Sequence, residues 1–167
     1  QFCSNLQHAF DFCERDENLM TLGILPTFAN TGYGYIEFDK LDSRPIKKVK
    51  QFREKPDYAT ARKFIQSRNY LWNAGIFVWS AKTVLKAYEE FQPVMYDHFM
   101  NGYEALNTEK EAAFIKDNYP LAQNISVDYA ILEKAQNVYV LPATFDWNDL
   151  GTWGSLYDKD RKSTRLN

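Results

Sequence analysis

An α/β fold, with a mixed β-sheet flanked by helices, is the architecture this sequence predicts. Three observations carry it. Short apolar or alternating runs such as TLGILP, TGYGYIEFD and VYVLPA read as strands. Between them lie segments with apolar residues at helical spacing, several opened by an Asp or Ser able to cap. The order is strands and helices interleaved, then a run of helices, then a last strand, which suits an α/β sandwich.

Each element follows from local pattern. Phe2 to Glu17 reads as a helix, with Leu6, Phe10 and Cys13 on one face. TLGILP is a buried strand closed by Pro26. TGYGYIEFD is a strand interrupted by Gly32 and Gly34, and glycine inside a strand marks a bulge or a close approach by another group. In IKKVKQFREKPD, Ile46, Val49 and Phe52 fall near strand spacing with lysines between, and Pro56 stops the run. Asp57 is placed to cap a helix from Tyr58 to about Arg68, with Ala61, Phe64 and Ile65 inward. YLWNAGIFVWS is a strongly apolar strand broken by Asn73 and Gly75. Ser80 caps a helix from Ala81 to Phe91. A helical region from Pro93 to about Asp117 breaks near Asn101-Gly102 and Asn107-Thr108. Ser126 is placed to cap VDYAILEKA, and a last turn follows VYVLPA and runs through Leu156. Residues 158–167 are polar and aperiodic and read as a disordered tail or a remnant.

Composition narrows the function classes. A chain of 167 residues is about one domain, and folds near this size bury about 70% of their unfolded surface. The formal charge of −2 gives no basic excess for nucleic acid. No apolar run reaches membrane-spanning length, and no secretory signal pattern is present. Cys3 and Cys13 lack metal-ligand spacing and read as two reduced, semi-buried thiols, in keeping with a cytoplasmic location. His8 and His98 stand apart from any acid or nucleophile and read as surface or packing residues.

Five motifs could carry chemistry. Gly34 in TGYGYIE leaves room for a ligand ring against the backbone, or serves sheet twist alone. Glu54 and Lys55 in REKPD pair an acceptor for hydroxyls with a cation for phosphate, at a kink fixed by Pro56, unless they are a solvated strand end. Asn73 in LWNAGIFVW is costly to leave unpaired, by roughly 1–3 kcal/mol, so it needs a backbone partner or a ligand. Asp128 opens a helix in SVDYAILEK, where an acid is favoured for dipole reasons alone. In DWNDLGTW, Asp146 and Asp149 are hard oxygen donors inside a frame of tryptophans. Mg²⁺ sites of one or two carboxylates plus substrate phosphates need little more, although Asp and Gly also make ordinary turns. No GxGxxG leading into a helix and no GxxxxGK[ST] occurs.

The order of these blocks is more telling than any one of them. TLGILPTFANTGYGYIEF, VKQFREKPD, YLWNAGIFVW, ISVDYAILEK and FDWNDLGTWGSL together resemble the bacterial mannose-1-phosphate guanylyltransferases, over about Leu19 to Leu156. The resemblance implies a Rossmann-like nucleotide-diphospho-sugar transferase fold. It implies joining of mannose 1-phosphate to GTP, with Mg²⁺, giving GDP-mannose and pyrophosphate. By motif, Gly34 becomes the backbone contact to the sugar, Glu54 the hydroxyl acceptor and Lys55 the phosphate-binding, catalytic lysine. Asn73 becomes a second hydroxyl contact and Asp149 a catalytic Mg²⁺ ligand, while Asp146 is left to loop chemistry and Asp128 without a settled role. No covalent nucleophile is needed, because phosphoryl transfer rests on positioning and charge neutralisation.

The family's glycine-rich triphosphate loop and upstream metal-binding aspartate have no counterpart here. With a start inside a helix and no initiating methionine, the expectation is a fragment, residues 1–157 forming the sugar-phosphate half of the domain without its nucleotide half. Such a fragment is expected to be inactive alone and to expose an unpaired sheet edge. Another hexose-1-phosphate nucleotidyltransferase, or a non-catalytic sugar-phosphate-binding module, remains as an alternative. No nucleic-acid or membrane partner is expected, and a homo-oligomer is left open.

Overall fold

A computed structural model describes residues 1–143, 145–151 and 153–164. The side chains of residues 158, 159 and 161–164 are outside that description. Helix α1 (Phe2–Arg15) leads into strand β1 (Leu19–Ile24), then β2 (Tyr35–Phe38) and β3 (Lys47–Arg53). Helix α2 (Tyr58–Ser67), strand β4 (Tyr70–Val78) and helices α3 (Ala81–Phe91), α4 (Pro93–Met100) and α5 (Glu111–Asn118) follow. A π-helical turn (Asp128–Leu132), strand β5 (Val138–Ala143) and helix α6 (Trp153–Thr164) complete the chain.

Two helix starts form as their sequences dictate. Asp57 accepts from the Thr60 N–H at 2.8 Å and Ser80 from the Thr83 N–H at 3.0 Å, each satisfying one orphan donor of the first turn. Ser126 does not act this way. Its helix begins at Asp128 in π geometry, with the Glu133 N–H donating to the Asp128 carbonyl.

The sheet runs β1-β4-β2-β3-β5 and closes on itself. Only β1 with β5 is parallel; β1–β4, β2–β3, β2–β4 and β3–β5 are antiparallel. This corrects two expectations. The sheet is mixed and flanked by helices, but it is not an open Rossmann-like sheet. Nor is β1 an unpaired edge, since it bonds to β4 on one side and β5 on the other. All six residues of β1 are buried, as in a strand covered on both faces.

Side-chain alternation splits the core in two. Met20, Leu22 and Ile24 of β1 join Trp72 and Leu141 beneath α1 and α2, through Ala9, Cys13 and Ala61. Leu19 joins Ile36, Phe52, Leu71 and Val140 beneath α3 and the π turn, through Ala87, Ala130 and Ile131. On α1 the inward stripe is Leu6, Ala9 and Cys13, while Phe10 is 53% exposed, contrary to the sequence reading. Cys3 is exposed and Cys13 buried, so the thiols are not alike. His98 takes a packing role, its Nε2 2.9 Å from the Asn118 carbonyl.

Two irregularities shape the strands near the site. Glu37 pairs with Gln51 but Phe38 with Val49, so one extra residue bulges from β3. That is why Val49 and Phe52, three apart, both reach the same core. In β4 the pairing moves from Phe77 opposite Thr21 to Asn73 opposite Gly23, and Gly75 sits between at φ 68°. Gly32 and Gly34 lie in the loop before β2, not inside a strand as the sequence suggested. Helix α6 carries the backbone of residues 158–164, read from sequence as a disordered tail; residues 165–167 lie outside the described residues.

Candidate functional site

The loop before β2, the end of β3, the irregular middle of β4 and the 147–150 loop meet around one cleft of about 500 Å³. Gly34, Glu54, Lys55, Asn73 and Asp149 all line it. These five residues come from four segments spread over more than a hundred positions, and the fold brings them together.

Gly34 has a more specific role than backbone room for a ligand. A Cβ at this position would stand 2.5 Å from Glu54 Oε2, 3.2 Å from Phe52 Cζ and 3.3 Å from Asn73 Cβ. The close approach is therefore made by the Glu54 carboxylate. Glycine lets that carboxylate fold down over the loop, where its side chain is only 11% exposed. Burial, with Asp128 as a like-charge neighbour, raises the Glu54 pKa; Lys55 opposes this.

Lys55 owes its position to the backbone. Its φ is 47°, a left-handed value rare for a residue with a Cβ, and its N–H donates to the Tyr33 carbonyl at 3.2 Å. This turn ahead of Pro56 brings the ammonium back to within 3.5 Å of Glu54 Oε1, while the side chain stays 61% exposed. Strict strand alternation would have sent the two side chains to opposite faces.

Asn73 is held on every side. Its N–H donates to the Gly34 carbonyl at 2.8 Å, tying β4 to the glycine loop. Its Oδ1 accepts from the Thr21 hydroxyl at 2.8 Å and the Gly75 N–H at 3.2 Å. Its Nδ2 donates to Asp128 Oδ1 at 3.1 Å. Asp128, ambiguous from sequence, thus enters the site from the π turn. Burial is the main reason its pKa is raised; its own amide, the Ser126 hydroxyl, Lys55 and Asn73 pull the other way. Thr21 is the residue that sequence reasoning missed. In TLGILP it reads as one more β-branched strand residue, and only the β1–β4 register places it beside Asn73.

Asp149 is exposed at the rim, and its Oδ1 accepts from the Gly151 N–H at 3.0 Å in a turn. Its Oδ2 makes no hydrogen bond among the described residues. The tryptophan frame expected in DWNDLGTW forms only in part: Trp147 meets Tyr33 edge-on at 5.4 Å, and Tyr33 meets Trp72 at 5.1 Å, but Trp153 is 88% exposed. Asp149 and burial together raise the Tyr33 pKa, burial being the larger cause. Asp146 lies outside this cleft, in an adjoining cavity of about 860 Å³ that also reaches Trp72 and Trp147. Among the described residues no group of three or more His, Cys, Asp or Glu could close around a metal ion. Among the described residues no helix is long and apolar enough to cross a membrane.

The cleft thus brings together a carboxylate, an ammonium and an oriented amide, and comparison with known proteins gives the family. The chain belongs to the nucleotidyl transferase family, whose profile matches residues 1–165. It is 34% identical over 167 residues to a mannose-1-phosphate guanylyltransferase of Salmonella muenchen, covering 99% of this chain and 35% of that protein. It is 37% identical over 141 residues to the xanthan biosynthesis protein XanB of Xanthomonas campestris pv. campestris strain B100, covering 84% of this chain and 30% of that protein. A crystal structure described as mannose-1-phosphate geranyltransferase from Thermus thermophilus superposes with a TM-score of 0.77 at 28% identity, over 91% of this chain and 42% of that one. The chain spans about a third of the length of the curated relatives it matches.

Proposed function

We propose that this chain binds mannose 1-phosphate in the Gly34–Glu54–Lys55–Asn73–Asp149 cleft, as the sugar-phosphate portion of a mannose-1-phosphate guanylyltransferase that uses GTP. The single observation that carries the reading is the convergence of Glu54, Lys55 and Asn73 on one cleft beside Asp149. Glu54 accepts sugar hydroxyl protons, the Asn73 amide donates to a hydroxyl oxygen, and Lys55 meets the phosphate. The relatives named guanylyltransferases align over nearly all of this chain, which favours mannose 1-phosphate over other hexose 1-phosphates.

A Mg²⁺ ion fits the donor set as a partner of the substrate, not as a caged ion. A phosphate here meets one ammonium and also the Asp149 carboxylate, and Mg²⁺ is commonly held by one or two carboxylates plus substrate phosphates. Asp149 Oδ2 is the ligand this chain would offer. Bound there, the ion would neutralise charge between two anionic substrates.

Isothermal titration with mannose 1-phosphate, with and without Mg²⁺, tests the reading. Lys55→Ala is expected to weaken binding about tenfold, the share of one charge-assisted contact. Free mannose is expected to bind poorly to both proteins. Equal binding of mannose 1-phosphate by wild type and Lys55→Ala would refute the site. Glucose 1-phosphate, run in parallel, separates the mannose reading from that of another hexose. Because the sequence holds no glycine-rich triphosphate loop, this chain alone is expected to release no pyrophosphate from GTP and mannose 1-phosphate.

A further inference from the structure

We infer that Thr21, buried beneath the cleft, is a positioning residue that anchors the Asn73 amide where it donates toward the ligand; this rests on the sugar-phosphate reading of the cleft. Thr21 is fully buried on β1, opposite the irregular stretch of β4. Its hydroxyl carries one hydrogen, and the shortest acceptor is Asn73 Oδ1 at 2.8 Å; the Ile76 and Leu22 carbonyls are farther, at 3.3 and 3.4 Å.

The Asn73 amide has two orientations, and its neighbours choose between them. As placed, Oδ1 takes two donors, the Thr21 O–H and the Gly75 N–H, and Nδ2 faces the Asp128 carboxylate. Turned over, Nδ2 would oppose the Gly75 N–H, and Oδ1 would oppose the Asp128 oxygen. The oxygen's two acceptor sites are then filled, and one Nδ2 hydrogen is committed to Asp128. The second Nδ2 hydrogen has no acceptor among the described residues, and it is all that Asn73 offers a ligand.

A sugar hydroxyl at that point must accept from Asn73, so its own proton goes to an acceptor. Asp128 and Glu54 are the carboxylates at hand. The hydroxyl is read in both directions, as acceptor and donor, and a hydrogen or a ketone oxygen in its place satisfies only part of the arrangement. The Gly75 N–H and the Asp128 carboxylate set this polarity, and the Thr21 hydroxyl anchors the amide in place without touching the ligand.

Thr21→Val keeps the shape and removes the hydroxyl; Thr21→Ser keeps the hydroxyl. Mannose 1-phosphate binding is expected to weaken roughly tenfold in Thr21→Val and to stay within about twofold of wild type in Thr21→Ser. A ligand-independent readout is the Asp128 carboxyl signal in a ¹³C NMR pH titration. With Asn73 no longer held, Asp128 loses a donor, and its midpoint is expected to move upward in Thr21→Val but not in Thr21→Ser. Unchanged affinity together with an unchanged Asp128 midpoint in folded Thr21→Val overturns the inference. Should wild type fail to bind mannose 1-phosphate, the proposed function falls, and the Asp128 titration alone decides the role of Thr21. Should Thr21→Val not fold, the wild-type spectrum decides. A Thr21 hydroxyl proton in slow exchange, with a nuclear Overhauser contact to Asn73, supports the inference, and its absence overturns it.

Discussion

Substituting Gly34 with alanine should act on the cleft through Glu54 more than on folding. The added Cβ would sit 2.5 Å from Glu54 Oε2, where ordinary contact begins near 3.4 Å, so the carboxylate must retreat by about 0.9 Å. Phe52 Cζ at 3.2 Å and Asn73 Cβ at 3.3 Å need yield only a few tenths. The nearest atom is the far end of a flexible side chain, so the folding penalty is expected to be about 1 kcal/mol, at the low end for overpacking. Binding should suffer more. A hydrogen bond to an ionised group contributes about 1.5–3 kcal/mol, and losing its geometry weakens mannose 1-phosphate binding by roughly tenfold or more. The assay is a double-mutant cycle by calorimetry with Glu54→Ala, which removes the obstructed carboxylate. In that background Gly34→Ala should lose almost nothing further. Additive losses, or wild-type affinity in Gly34→Ala, would refute the view that the glycine exists to seat Glu54.

Two further outcomes follow from the titrating groups. The Glu54 pKa lies above its ordinary 4.5, so its contribution to stability is fully present below that value and is lost as pH rises through the raised one. Relative to Glu54→Gln, wild type should therefore become less stable over that interval in urea melts. Taking the difference removes Glu17, Asp39, Asp42 and Asp57, whose lowered pKa values act with the opposite sign; a flat difference would contradict the burial of Glu54. The two thiols should also separate. Burial lifts Cys13 to about 11 and its Sγ donates to the Val78 carbonyl at 3.2 Å, so a disulfide reagent at pH 8 should label Cys3 quickly and Cys13 only in denaturant. Two fast thiols would show that α1 does not stay docked.

What the sequence made legible was local. Asp57 and Ser80 cap because a short polar side chain before an apolar period has few other uses, and both do so. The site residues were legible only through the order of their motifs, since none has a distinctive spacing alone. What stayed hidden depends on register. Nothing in IKKVKQ or VYVLPA says that Lys47 and Lys48 pair with Val140 and Tyr139, yet that pairing closes the sheet. Nothing in SVDYAILEK announces π geometry, the form in which Asp128 reaches Asn73. Thr21 was invisible because its value lies in a partner 52 positions away. Gly32 and Gly34 misled for a related reason: aromatic neighbours made the loop look like strand, when the glycines serve a turn at Asn30 and the approach of Glu54.

The contact between β3 and β5 is the shortest joint in the sheet, two residue pairs against six between β1 and β5. A ring is only as strong as its narrowest weld, and none lies farther in the ring than this one from the β4–β2 pairing that frames the cleft. Were the ring to open, that weld is where the fewest ladder pairs would break, and Asn73, Thr21 and the glycine loop lie on other joints. It would bare two edges, β3 with Lys47, Lys48 and Lys50, whose like charges repel a second copy, and the apolar β5, VYVLPA, which has no such guard.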